Sequence, residues 1–208
     1  HFDAQNVIEL GTGGATQAQP GCLNRLEALN RNSAGRPLGR AVGDTIPLIL
    51  TGEAPVTSWS PDSDDDRLGD GLMRRIDRLY EDDSLFHGAL AEAEQAQLLA
   101  ETVGRMLKAP DGARLAVMEM GGWDTHQNQG DSTGGLASRL GQLSAGIQAL
   151  KDGMGDLWPD TMVVAMTEFG RTVRENGTSG TDHGTAGASF LAGGSLEGGR
   201  VIADWPGL

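Results

Sequence analysis

The chain is expected to form an α/β domain with a doubly wound, largely parallel sheet flanked by helices. Two long stripes of apolar residues recur at three- and four-residue steps, and apolar runs of strand length lie between and after them. Glycine is abundant, 32 residues in 208, and it gathers where those runs end, as suits a loop-rich α/β protein better than an all-β one. Helix, strand, helix, strand is the order of a doubly wound domain, and in such sheets ligands collect beyond the carboxyl ends of the strands. With 38% hydrophobic and 22% charged residues, the chain can bury one sizeable core. A single domain over residues 1–208 is expected, with a loop-rich segment at 1–66 ahead of a helix-strand core at 67–208.

Along the first segment the pattern is weak. A short helical stretch is expected near residues 23–29, and TIPLIL at 45–50 reads as a strand, with Pro47 placing it at an edge or a strand start. PDSDDD at 61–66 reads as a solvated acidic turn that favours the start of the helix after it, and no site is assigned to it. From Ser84, a possible cap, to Lys108, the residues Phe86, Leu90, Ala93, Ala96, Leu99, Val103 and Met106 describe one face of a helix, which Pro110-Asp111-Gly112 ends. ARLAVMEM at 113–120 follows as a strand. Leu136, Leu140, Leu143, Ile147, Leu150, Met154 and Leu157 then give a second amphipathic helix. A coiled coil has the same signature, but the flanking strands favour a crossover helix lying on a sheet. TMVVAMT at 161–167, AGASFLA at 186–192 and RVIA at 200–203 are read as further strands.

Charge and cysteine usage exclude several functions. A formal net charge of −13, from 29 acidic against 16 basic residues, repels a nucleic-acid backbone or an anionic membrane surface. A small anionic ester could still be a substrate if a metal or local arginines receive it. No run approaches the length of a membrane span. Cys22 is the only cysteine, so an internal disulfide and cysteine-rich zinc ligation are both excluded. Oligomeric state is not legible.

Three polar clusters stand at the ends of the expected strands: GGWDTH at 121–126, EFGRT at 168–172 and GTDHG at 180–184. Asp124, His126, Glu168, Asp182 and His183 together offer hard oxygens and borderline nitrogens. That ligand set suits a divalent ion: zinc, manganese, iron or calcium. Arg171 can present a forked donor to a phosphate or sulfate. Each has a plainer alternative: a turn-capping Asp124, a loop His126, a Glu168–Arg171 surface ion pair, and an imidazole steadied by Asp182. Convergence at strand ends favours the metal site.

The motifs GGWDTH, TEFGRT, NGTSGTDHG and GGRVIADWPGL, at 121–126, 167–172, 176–184 and 198–208, resemble the family called domain of unknown function 1501. That family is similar in fold to alkaline phosphatases and sulfatases, and its members commonly carry a twin-arginine export signal. The resemblance implies an alkaline-phosphatase-like fold, export to the periplasm or cell envelope, and further strands, a leader and a tail outside these 208 residues. Asp124 and His126 match the superfamily's first ligand pair with a shorter spacing. Two registers compete for the rest. Matching by letters puts Asp182 and His183 on the Asp-His pair, whereas matching by strands puts Glu168 and Phe169 there and makes His183 the later histidine. The strand register is preferred because buried strands are harder to shift than letters are to repeat. Phe169 cannot bind an ion, so one site survives, built from Asp124, His126 and His183 with Asp182 or Glu168. No nucleophile is identifiable, and Cys22 sits outside the sulfatase pattern. The leading expectation is a metal-dependent hydrolase of phosphate or sulfate esters. Its alternative is a non-catalytic exported binding or assembly protein that keeps the fold.

Overall fold

The computed structural model describes residues 7–11, 19–30, 37–43, 45–60, 87–205 and 207, and of residues 87–95 the backbone alone. The acidic turn at 61–66, Ser84 and Phe86 lie outside the described residues, as do the side chains of Leu90 and Ala93. The architecture is mixed α/β. A parallel three-stranded sheet in the order β2-β1-β3 is formed by β1 (Gly39–Val42), β2 (Val56–Trp59) and β3 (Leu115–Met118). Central β1 runs in register from Gly39 opposite Val56 on one side and opposite Leu115 on the other.

Helix α1 (Cys22–Leu29) feeds this sheet through buried polar side chains. Asn24 donates to the carbonyls of Leu50 and Ala54 at 2.8 and 2.9 Å and accepts from the Ala54 amide at 3.0 Å, so one side-chain amide satisfies three buried backbone groups. Glu27 accepts from the Leu38 amide at 2.8 Å, directly ahead of β1. The strand expected at 45–50 is instead a single 3-10 turn, Leu48–Leu50, closed by the Leu50 amide on the Pro47 carbonyl at 2.9 Å. Pro47 has no amide to give a ladder, and its fixed φ of −61° starts the turn.

Helix α2 (His87–Lys108) packs Met106 against Trp59 of β2, with Val42, Leu98 and Leu99 around them. Helix α3 (Gly135–Met154) lies mainly on α2. The expected picture of a helix riding on a sheet is thus corrected to a helix pair. The two backbones come close at Gly104 and Gly153: a Cβ built on Gly153 would stand 2.3 Å from the Glu101 carbonyl oxygen. Along the apolar stripe expected from Leu136 to Leu157, Met154 at the end of α3 is buried, whereas Leu140 on α3 and Leu157 beyond it are exposed. Gly153→Ala is therefore expected to destabilise the protein by about 1–3 kcal/mol, since a backbone oxygen cannot rotate away. Urea unfolding checks this, and an unchanged midpoint would contradict the close crossing.

After α3 a 3-10 segment, Gly155–Asp160, leads into β4 (Met162–Ala165), which pairs antiparallel with β7 (Phe190–Gly193). Between them β5 (Gly170–Glu175) and β6 (Thr181–Gly184) form an antiparallel hairpin. The largely parallel sheet therefore needs correction: the parallel pairs are confined to β1, β2 and β3, and the β4-β7 and β5-β6 pairs are antiparallel. For β5 and β6 the reason is connection length. The five residues between β5 and β6 permit only a hairpin, because a parallel return needs a crossover. The run at 200–203 forms no strand, and Val201 and Ile202 stand 93% and 96% exposed.

Candidate metal centre

Two loops frame the site, to which β5 brings Arg171 and β6 brings His183. One follows β3 and holds residues 119–134; the other is the tip of the β5-β6 hairpin at 176–180. They are laced by backbone bonds: the amides of Asn128 and Gln129 donate to the carbonyls of Thr178 and Ser179 at 3.1 and 2.8 Å, and the Thr181 amide donates to Thr125 at 3.3 Å. Asn128 and Ser179, the non-glycine residues with positive φ among the described residues, lie on opposite sides of this seam. Such backbone costs free energy and persists where surrounding bonds hold it, commonly at functional loops. Gly180 lets the loops touch: a Cβ there would stand 2.2 Å from the His126 carbonyl oxygen.

On this frame Asp124, His126 and His183 converge, each offering one ligand atom, with all three atoms within 4.8 Å of one another. Asp124 Oδ1 lies 3.0 Å from His126 Nε2 and 2.8 Å from His183 Nε2, and Arg171 Nη1 donates to the same oxygen at 2.8 Å. Arg171 Nη2 reaches Thr125 Oγ1 at 3.3 Å. The rings are stacked: His183 lies 4.3 Å from Phe169 and 4.8 Å from His126, centroid to centroid, at interplanar angles of 5° and 16°. Two imidazoles and one carboxylate suit zinc, manganese or iron, and three protein donors leave positions open for water or substrate. The fit is one of donor chemistry and proximity.

Residues 75–208 match the model of the family described as "Protein of unknown function (DUF1501)", a span that contains every residue of this site. The chain belongs to the DUF1501 family. No curated protein and no solved structure matches it.

The structure of this DUF1501 protein separates the candidate residues named from the sequence. Asp124, His126 and His183 come together, and Arg171 joins them through Asp124 rather than standing apart. Asp182 lies on the other side of the His126 ring, its Oδ1 3.2 Å from Nδ1. Glu168 is exposed and outside the three-residue group. Among the described residues, sequence reasoning missed Asn176, Thr178 and Gln129. Asn176 Nδ2 donates to the His126 carbonyl and to Asp182, both at 3.0 Å, and Gln129 Oε1 accepts from Thr125 and Thr181 at 2.9 and 2.7 Å. The stretch NGTSG ahead of TDHG was the available cue, since Asn and Gly in that pattern signal a hairpin tip whose side chains bond backbone.

The two aspartates carry charge-dependent stability. Loss of solvent works against ionisation of Asp124, but the His183 hydrogen bond and the charges of His126, His183 and Arg171 outweigh it and hold the carboxyl below the ordinary 3.8. Asp182 is lowered too, first by the Asn176 hydrogen bond and then by that of His126. A carboxylate more acidic in the folded than in the unfolded chain stabilises the fold fully above the unfolded value. That contribution fades as pH falls from there through the folded value. Acid unfolding of Asp124→Asn is therefore expected to be less steep just below pH 3.8 than that of the wild type, with the curves parallel at neutral pH. Superimposable slopes in acid titration followed by circular dichroism would contradict this.

Proposed function

We propose that this DUF1501 protein is a metal-dependent hydrolase of small phosphate or sulfate esters, alkaline-phosphatase-like in ancestry and exported from the cytoplasm. Asp124, His126 and His183 are the ligands of a single divalent ion. The observation that carries this reading is the meeting of two Nε2 atoms on one carboxylate oxygen, at 3.0 and 2.8 Å, at the seam of two interlocked loops. A bound divalent ion supplies Lewis acidity toward an ester oxygen and eases ionisation of water. Arg171, fixed by Asp124 and Thr125, supplies the positive charge that an overall acidic chain needs to receive an anionic ester. Phe169 keeps the His183 ring plane in place by stacking, which accounts for an aromatic residue where the related folds place a ligand.

The test is turnover of an aryl phosphate and an aryl sulfate by the full chain loaded with zinc or manganese. Hydrolysis that a chelator abolishes, and that His183→Ala lacks, supports the proposal. Equal rates for metal-loaded wild type and His183→Ala on both substrates overturn it.

A second reading has its own observation. Asp124 Oδ1 already accepts from Arg171 and pairs with His183, and it stands 3.0 Å from His126 Nε2, so the same residues form a closed network that tethers the loops without an ion. In that case the protein is a non-catalytic binding or assembly component, and a stable fold with no affinity for divalent ions is its mark.

A further inference from the structure

We propose that Asn176 and Asp182 form a positioning pair that fixes the His126 ring for metal binding, with Asp182 acting on the ring rather than on the ion; this rests on the metal reading above. His126 presents Nε2 to Asp124 at 3.0 Å and Nδ1 to Asp182 Oδ1 at 3.2 Å, so its two nitrogens are divided between two carboxylates. An imidazole whose Nδ1–H is held by a carboxylate offers the Nε2 lone pair to an ion, and its ring is oriented by the same bond.

Asn176 fixes that carboxylate and the histidine backbone together. Its Oδ1 accepts from the amides of Thr178 and Gly180, both at 3.0 Å, and from Thr178 Oγ1 at 2.9 Å. Backbone amides can only donate, so the oxygen must face them and the NH2 group must face the other way. There Nδ2 donates to Asp182 Oδ1 and to the His126 carbonyl, each at 3.0 Å. One amide thus ties the hairpin tip, the carboxylate and the histidine into a single unit. The Asp182 backbone amide, held by Thr172 Oγ1 at 3.1 Å, anchors the far end in β5.

The experiment is zinc titration of the full chain against a competing chelator for wild type, the single variants Asp182→Asn and Asn176→Ala, the double variant of these two and, for comparison, Asp124→Ala, with far-UV circular dichroism confirming the fold. Each single variant is expected to bind one ion with affinity lowered about 10–100-fold, and the double variant no more weakly than the worse single one, because both act through one ring. Proton NMR of zinc-loaded wild type is expected to show a slowly exchanging His126 Nδ1–H resonance that Asp182→Asn weakens, a signature that general loss of stability does not produce. Wild type that binds no zinc overturns the metal reading and the pair together. Wild-type affinity in both single variants, with the Nδ1–H resonance intact in Asp182→Asn, overturns the pair alone. Loss of binding in Asp182→Asn as deep as in Asp124→Ala overturns it in a third way, by making Asp182 a ligand.

Discussion

Substituting alanine for His183 is expected to weaken binding of a divalent ion by more than about 100-fold, beyond the range typical of losing a partner one step removed from an ion. His183 supplies one of only three donors in the group, and its Nε2 stands 2.8 Å from the carboxylate that would share the ion. The same ring fills the space between Phe169 and His126, so alanine also frees the His126 ring to tilt. The fold should survive, because β6 pairs with β5 through backbone, Arg171 opposite His183, and the α2–α3 pair does not depend on that side chain. Calorimetric titration with zinc or manganese reads the effect. Wild-type affinity in His183→Ala would remove His183 from the site.

Gly180→Ala should have the next largest effect, through geometry alone. The added Cβ would stand 2.2 Å from the carbonyl oxygen of His126 and 2.6 Å from that of Thr125. Neither oxygen belongs to a side chain that can swing aside. The loops must part, and the bonds from Asn128, Gln129 and Thr181 across the seam stretch with them. A loss of about 1–3 kcal/mol is expected, together with at least roughly tenfold weaker ion binding. Urea unfolding and metal titration on one preparation check both. Unchanged affinity would mean that the seam does not hold the donors.

Much of this grouping could be read from the sequence because its donors sit in short polar motifs beside apolar runs, where short-range pattern and chemistry coincide. GGWDTH follows the apolar run of β3, and TDHG is β6 itself, so Asp124, His126 and His183 were identifiable without knowing how the strands pair. Pairing was less legible. β1 and β2 are four-residue strands whose sequences, GRAV and VTSW, carry too few apolar residues to stand out, yet β1 is the centre of the parallel sheet. TIPLIL looked more like a strand than either, until Pro47 turned it into a 3-10 turn. RVIA has strand composition, but Val201 and Ile202 have no neighbour strand among the described residues. Asn176 escaped notice because its importance lies in bonds to His126, 50 residues away, which periodicity cannot report. Phe169 read as a missing ligand, and only the ring stack shows what an aromatic side chain does there.

Elemental analysis of the full chain, dialysed against zinc, manganese or iron and then freed of excess ion, tests the central claim most directly. About one divalent ion per chain in the wild type, and none in Asp124→Ala or His183→Ala, is the predicted result. A wild type that retains no ion under any of these conditions while staying folded would contradict the metal centre and leave Asp124, His126, Arg171 and His183 as a structural network.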